Sequence, residues 1–368
     1  MKKMVLLILV MIPLLLSGCW DQRLLVNRTL VNGISFDLTK EGKIASSVRA
    51  LNIKSMGGGQ FELNDELVKA ERPTVVGLGL DLDSTIAGEI DASKAHVVII
   101  GEELAKKGVQ PLIEFFYRNR DSYIASKIVI GKGKAKEILS VEKEKSPIAF
   151  VILQLIEGAE KDTVIPRKNT FTVWNNILDP GIDMVLPYVK RIKSDKVEIA
   201  GVALFNGDTY TGETLPKEKS SILLLMTNQL DKLNRMAMIL DPKGKRQSIS
   251  FTVRNLTRDL EVQVDKNNQI TCKIDLNLDI EVLSFPQEFK DPLNTKELNQ
   301  NLSNELTKQA KEVTDTLLEA NCDALGIGRR ISSYHHELWG KINWDEEYRN
   351  VRFEPNVKVN IIKTGILF

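Results

Sequence analysis

Two long runs, Arg246 to Val264 and Gln269 to Leu283, alternate apolar and polar residues in the period-2 pattern of half-buried β-strands, and Lys266-Asn267-Asn268 between them is turn chemistry. The helical stretch after them, Asn294 to Leu325, is the longest in the chain. At about 100° per residue it carries Leu298, Leu302, Leu306, Val313, Leu317 and Ala324 on one face. A sheet with one apolar face and a helix with one apolar stripe must bury those surfaces against each other, so the C-terminal part of the chain is predicted to be a sheet covered by a helix. Asn294 with Glu297 reads as a capping-box start and Gly326 as the stop.

The same mixture runs through the rest of the chain. Leu24 to Leu38 and Ile44 to Ile53 read as an opening hairpin, with Thr39 to Lys43 as its turn, and Gly57-Gly58-Gly59-Gln60 as a loop. Pro73 to Leu80, Ala95 to Ile100, Tyr123 to Ile130 and Met184 to Arg191 are predicted strands. Helices are predicted at Ser84 to Ala92, Glu102 to Lys107, Pro111 to Tyr117, Lys134 to Leu139, Ser146 to Glu160 and Asn169 to Leu178, with Ser146 as N-cap and Pro147 at the first helical position. Charge at Ser194-Asp195-Lys196 interrupts the pattern before Val197 to Phe205, Asn206-Gly207-Asp208 is a hairpin turn, and Pro216 to Leu225 is a helix. Asn356 to Phe368 closes the chain as a strand. The fold class is α+β, in about three domains, each a mostly antiparallel or mixed sheet covered by helices. Residues 19–195 form an N-terminal region of two subdomains, and residues 196–368 a C-terminal domain with its long helix at about 295–325.

Residues 1–18 stand apart. Lys2 and Lys3 form a positive n-region, Met4 to Leu16 an uncharged apolar h-region, and Leu16-Ser17-Gly18-Cys19 closes it with the small residues that precede a lipid-modified cysteine. The run is too short to span a bilayer, which takes roughly 20 apolar residues. Cleavage before Cys19 makes that cysteine the first mature residue, and a two-chain diacylglyceryl anchor on it gives stable attachment where one acyl chain holds only marginally. Losing Lys2 and Lys3 takes the net side-chain charge from +1 to about −1. A neutral body offers no electrostatic case for nucleic acid, and no polybasic stretch follows the anchor.

Of the three cysteines, Cys272 and Cys322 remain after lipidation, and they are open either to pairing or to standing as two independent buried thiols. On the helical count Cys322 points away from the apolar face, so either the helix has ended by then or the residue faces something other than the main core. Chemistry-bearing motifs are weak. Asp81-Leu82-Asp83-Ser84-Thr85 after an apolar run resembles the first motif of haloacid dehalogenase phosphatases, yet the distal acidic pair that would hold the metal is missing. Gly77 and Gly79 lack the third glycine of a dinucleotide fingerprint. His96, His335 and His336 are too few for a metal site, and the adjacent pair cannot share one helical face. No catalytic residue, cofactor site or metal site is assigned.

Cys19-Trp20-Asp21 followed by Val31-Asn32-Gly33-Ile34-Ser35-Phe36-Asp37 resembles the start of the Ger(x)C family of spore germination lipoproteins. Further resemblances follow in order: His96 to Ala105 with Gly108 to Leu112, Phe116 to Asp121, Ile199 to Phe205, Asp323-Ala324-Leu325-Gly326-Ile327-Gly328 with Trp339, and Val357 to Thr364 with Gly365. Gln22 to Leu25 turn apolar sooner than is usual in the family, and Asp81 to Ser84 stand where a Gly-x-Thr turn is expected. The resemblance implies a non-catalytic subunit of a nutrient germinant receptor, lipid-anchored on the outer face of the spore inner membrane beside integral A and B subunits. The other reading is an independent extracytoplasmic solute-binding lipoprotein, which would show two similar α/β lobes.

Overall fold

The structure, a computed structural model, describes residues 28–58, 60–86, 89–119, 122–142, 146–193, 196–240, 247–284 and 295–364. The Leu16 to Cys19 motif, Asn294 and Gly365 lie outside the described residues. Among the described residues two sheets carry the fold, one of nine strands and one of four.

The large sheet opens with a meander, β1 (Arg28–Leu38), β2 (Ile44–Gly57) and β3 (Gln60–Arg72). Helix α1 (Val75–Thr85) and the short β4 (Glu89–Asp91) then lead to β5 (Val97–Gly101). Next come α2 (Glu102–Ala105), α3 (Gln110–Arg118), β6 (Lys127–Gly131), α4 (Ala135–Leu139), α5 (Ile148–Lys161), α6 (Thr170–Ile177) and β7 (Val185–Ile192). Strands β8 (Lys196–Asn206) and β9 (Thr209–Pro216) close the sheet, and α7 (Lys217–Met226) leaves it. The spatial order is β3-β2-β1-β5-β6-β7-β8-β9, with β4 on β1. The middle pairs, β1 to β5, β5 to β6 and β6 to β7, are parallel, and the flanking hairpins are antiparallel. Fully apolar β5 and β6 follow from that placement, because a central parallel strand is covered on both faces. Val97 and Ile99 pack towards α4 and α5, while Val98 and Ile100 pack towards α1, α3 and α6.

The smaller sheet is β10 (Arg235–Leu240), β11 (Gln247–Val264), β12 (Ile270–Ser284) and β13 (Arg352–Thr364), with β12 and β13 parallel. Helix α8 (Thr295–Glu319) lies along it with Leu302, Leu306, Ala310, Val313 and Leu317 buried. Asn299, Ser303 and Thr307, one helical turn apart, accept the N–H groups of Ile361, Val359 and Val357 at 3.1, 2.9 and 2.9 Å. Donors that an edge strand would otherwise offer to another chain are thereby occupied. Leu306 is 1% exposed, and Leu306→Ala is expected to cost about 2 to 5 kcal/mol, read as a lowered urea midpoint.

Between the sheets runs α7, buried at every residue from Ser220 to Met226. A helix apolar on all sides belongs inside a core, and one contiguous cluster of buried residues runs from Val97 on β5 through Leu223 to Leu278 on β12. Short α9 (Ile327–Tyr334), α10 (His336–Trp339) and α11 (Trp344–Glu347) connect α8 to β13.

Several expectations are corrected. Pro73 to Leu80 is not a strand but lies largely in α1, where Thr74 accepts the Gly77 N–H at 3.2 Å as N-cap and Val75, Leu78 and Leu82 are buried at helical spacing. The helix expected at Ser84 to Ala92 is not formed, since α1 ends at Thr85 and Glu89–Asp91 pair with β1 as β4. Pro147, not Ser146, is the N-cap of α5. The long helix ends at Glu319 rather than near Leu325. Asn321 turns the chain at φ 50°, and Gly326, at φ 70°, precedes α9 instead of stopping α8. Strands β3 and β10 are additional to the sequence reading. The break expected at residues 194–196 falls within the β7–β8 hairpin, whose two strands pair from Val185/Leu204 to Ile192/Lys196.

Candidate functional site

The loop entering β7 meets the segment between α8 and α9, and backbone touches backbone there. The Arg329 N–H donates to the Gly181 carbonyl at 2.7 Å. A Cβ on Gly181, itself at φ 80°, would stand 2.5 Å from the Arg329 nitrogen and the Gly328 carbonyl carbon. A Cβ on Gly328 would meet Trp344 Nε1 at 2.5 Å. Only glycine permits this approach at both positions.

Two aspartates lock the same contact. Asp183 accepts the Gly207 N–H at 2.7 Å with one carboxylate oxygen and the Asp323 N–H at 2.7 Å with the other. In return the Asp183 N–H donates to the Asp323 carbonyl at 2.9 Å. The Asp323 carboxylate, 1% exposed, accepts from Ile327 N–H at 2.9 Å, Gly328 N–H at 2.7 Å and Trp344 Nε1 at 3.2 Å. It thus sits on the first two amides of α9, where the helix dipole favours an acid. Burial pushes the Asp323 carboxyl up to about 7, against the pull of the Gly328 and Ile327 amides, and neighbouring Asp183 adds to the rise. Burial likewise raises Asp183, opposed by its two amide donors. Beneath them the Tyr348 hydroxyl donates to the Cys322 carbonyl at 2.8 Å.

Beside this lock lies a cavity of about 440 Å³ between the sheets. Ile182, Leu223, Leu224 and Leu325 give it an apolar wall, and Lys168, Arg258, Arg329 and Arg330 a cationic one. Arg329 pairs with Asp179. Lys168, Arg258 and Arg330 have no carboxylate at ion-pair distance among the described residues. The Lys168 ammonium donates to the neutral Asn176 amide oxygen at 2.6 Å. Part of the residue's surface is open to the cavity, but its charged end is withdrawn from bulk water, and this lowers its pKa to about 8. Arg258 donates to the Met226 carbonyl at 3.1 Å, and its buried Nε has no acceptor among the described residues. Burial first, and nearby Arg330 second, lower the Arg258 pKa.

The residues singled out by sequence are dispersed. Asp81 and Asp83 lie on α1, not at a strand end; Asp81 pairs with Arg72 at 2.8 Å and Asp83 is exposed. His96 packs on Tyr123 and Phe150. His335 and His336 sit at the joint of α9 and α10, and no cluster of metal-ligating side chains occurs among the described residues. Cys272 on β12 and Cys322 beyond the end of α8 stand as separate buried thiols in one core. Burial pushes Cys272 up to about 12 and raises Cys322 as well. Among the described residues no helix is long and apolar enough to cross a membrane. Of the junction, the sequence had marked Asp323 to Gly328 but neither Asp183 nor the three unpaired cations.

Comparison with known proteins covers nearly the whole chain. One family profile, described as spore germination protein N-terminal domain, matches residues 21–191, and another, described as spore germination B3/GerAC-like, C-terminal, matches residues 200–365. The two meet at the β7–β8 turn, where the sequence pattern also breaks, although both strands belong to one sheet. Spore germination protein GerQC of Bacillus cereus is 22% identical over 373 residues, covering 100% of this chain and 99% of the relative. Spore germination protein KC of Bacillus subtilis is 20% identical over 400 residues, covering 99% and 97%. The crystal structure of the GerBC protein superposes with a TM-score of 0.59 at 15% identity, covering 90% of this chain and 97% of that one. The multi-domain α+β fold is therefore shared with that protein.

Proposed function

The chain belongs to the GerAC-like family of spore germination proteins, and from that premise we propose that it is a non-catalytic, lipid-anchored subunit of a spore nutrient germinant receptor. Cys19 carries the lipid on the outer face of the membrane, and the body scaffolds or relays the signal of integral A and B subunits. Its tether confines it to the membrane plane, which raises its effective concentration near those subunits. The observation that carries the reading is the full-length match to proteins named for spore germination.

The fold supports it in two ways. One core joins both sheets through α7, so a push on one sheet is transmitted to the other instead of being lost in a linker. Arg28 at the start of β1 is nine residues after Cys19, so the two are at most roughly 30 Å apart. Tyr117, Tyr123, Ile124 and Phe171 are exposed at the end of the sheet where β1, β5 and β6 begin. Tyr117 stacks on Trp174 there with ring centroids 5.3 Å apart. Aromatic side chains with a polar edge suit a lipid–water boundary.

The test is a pull-down from detergent-solubilised spore inner membrane using protein tagged at its C-terminus. Recovery of two integral membrane subunits is expected, and their absence with intact bait would move the reading to an independent solute-binding lipoprotein. Cys19→Ala is expected to release the protein from the membrane fraction. Retention of this variant at the wild-type level would overturn the lipid anchor.

A further inference from the structure

We propose that the cavity between the two sheets binds a small molecule with an apolar body and at least two anionic oxygen groups, carboxylate or phosphate, held by Lys168, Arg258 and Arg330. Bringing like charges together and withdrawing them from water is unfavourable unless opposite charge or hydrogen-bond acceptors compensate. The fold supplies such compensation elsewhere: Arg167 has Asp231, Arg329 has Asp179 and Lys127 has Glu160. Lys168 has only a neutral amide, Arg330 has no side-chain partner among the described residues, and Arg258 keeps an unpaired buried Nε. These three come from separate elements, the loop before α6, β11 and α9, and converge on one cavity.

The cavity's other groups narrow the ligand further. Asp183 is the acid on the wall; its two oxygens accept backbone amides from the lock, and it forms no ion pair with the three cations among the described residues. Asn176, Thr227, Gln229 and Ser333 add neutral polar groups. Facing them, Ile182, Leu223, Leu224 and Leu325 favour a hydrocarbon or aromatic body over a bare inorganic ion. A volume of about 440 Å³ falls in the range of small-ligand sites, roughly 300 to 1,000 Å³. Because the walls belong to both sheets, an occupant would bridge them. Ligand binding would therefore stabilise the junction, a property separate from lipid anchoring or subunit assembly.

Isothermal titration of the full-length protein with isophthalate, an aromatic dicarboxylate, and with isopentenyl pyrophosphate, a diphosphate with a hydrocarbon body, each against sodium chloride of equal ionic strength, tests the inference. Saturable binding of either is expected, with a matching rise in thermal midpoint. Stronger isophthalate binding would assign carboxylate chemistry and stronger isopentenyl pyrophosphate binding phosphate chemistry. Arg330→Ala and Lys168→Met are each expected to weaken binding about tenfold or more, as loss of a charge-assisted contact does. Lys266→Ala, in the exposed β11–β12 turn, is expected to leave it unchanged. The proposal is overturned if neither probe gives saturable heat, or if Arg330→Ala and Lys168→Met bind as tightly as the natural protein. Unfolding curves of both variants accompany the titration; an unchanged urea midpoint shows that lost binding is not lost folding.

Discussion

Asp323→Ala is expected to lower stability by about 3 to 5 kcal/mol, because it leaves the Ile327 and Gly328 amides and the Trp344 indole N–H buried without an acceptor. Such a loss is a large share of the 5–15 kcal/mol or so that holds a typical domain folded. Equilibrium urea unfolding measures it, and a shift below about 1 kcal/mol would show that the carboxylate does not hold the junction. The natural residue has a pH signature of its own. Its carboxyl is raised from an unfolded value near 3.8 to about 7, so between those limits the folded state keeps a proton that the unfolded chain has released. Stability contributed through this group is fully present below pH 3.8 and declines as pH rises to about 7. Removing the carboxyl should flatten that part of the stability profile, while the loss of acceptors persists at every pH.

The importance of Asp323 was partly visible beforehand, and the contrast with what was not visible is physical. Asp323 to Gly328 stood out as a block through its resemblance to the Ger(x)C family, although Gly326 was read as a helix stop and not as the residue before α9. What the sequence did not reveal is that Asp183, far away in the chain, supplies the other half of the lock. A lone acid in a loop carries no periodic signal, and its partners here are backbone amides, which have no sequence identity at all. Lys168, Arg258 and Arg330 were hidden for the same reason: each reads as an ordinary surface cation until tertiary structure brings the three to one cavity.

Secondary structure was legible where one face is wet and the other buried. The β11–β12 hairpin and the buried stripe of α8 follow the alternation and the 3.6-residue spacing that their surroundings impose. Strand β10 was passed over although its residues alternate between exposed and buried, since Ala237 and Ile239 on the outer face are apolar and mask the pattern. Strand β3, at the edge of the large sheet, is rich in charge, with Glu66, Lys69 and Glu71 among its residues, and edge strands commonly bear such charges. Val75 and Val76 drew α1 towards a strand reading. Yet Val75, Leu78 and Leu82 are spaced for a helix, and Thr74 caps it, so packing overrode β-branched propensity.

Gly181→Val should be as disruptive as loss of Asp323, by a different route. The side chain would impose an L-residue on a backbone at φ 80° and place its Cβ 2.5 Å from backbone atoms of Gly328 and Arg329. Left-handed strain and overpacking together are expected to cost about 3 to 5 kcal/mol. Because the clash is with backbone and not with a flexible side chain, relief requires the β7 entry loop and the α9 start to separate. That movement would break the Arg329 to Gly181 hydrogen bond, loosen the Asp183 to Asp323 lock and open the adjoining cavity. Gly158→Ala is the matched control, since a Cβ on that α5 glycine meets nothing within 4 Å and should stabilise by about 0.5 to 1 kcal/mol through helix propensity. Calorimetry of both variants separates a junction effect from a general one. Gly181→Val is expected to split unfolding into two transitions, one for each sheet, with isophthalate and isopentenyl pyrophosphate binding lost. A single transition at the natural midpoint would mean that the two bodies do not depend on this glycine contact for their cohesion.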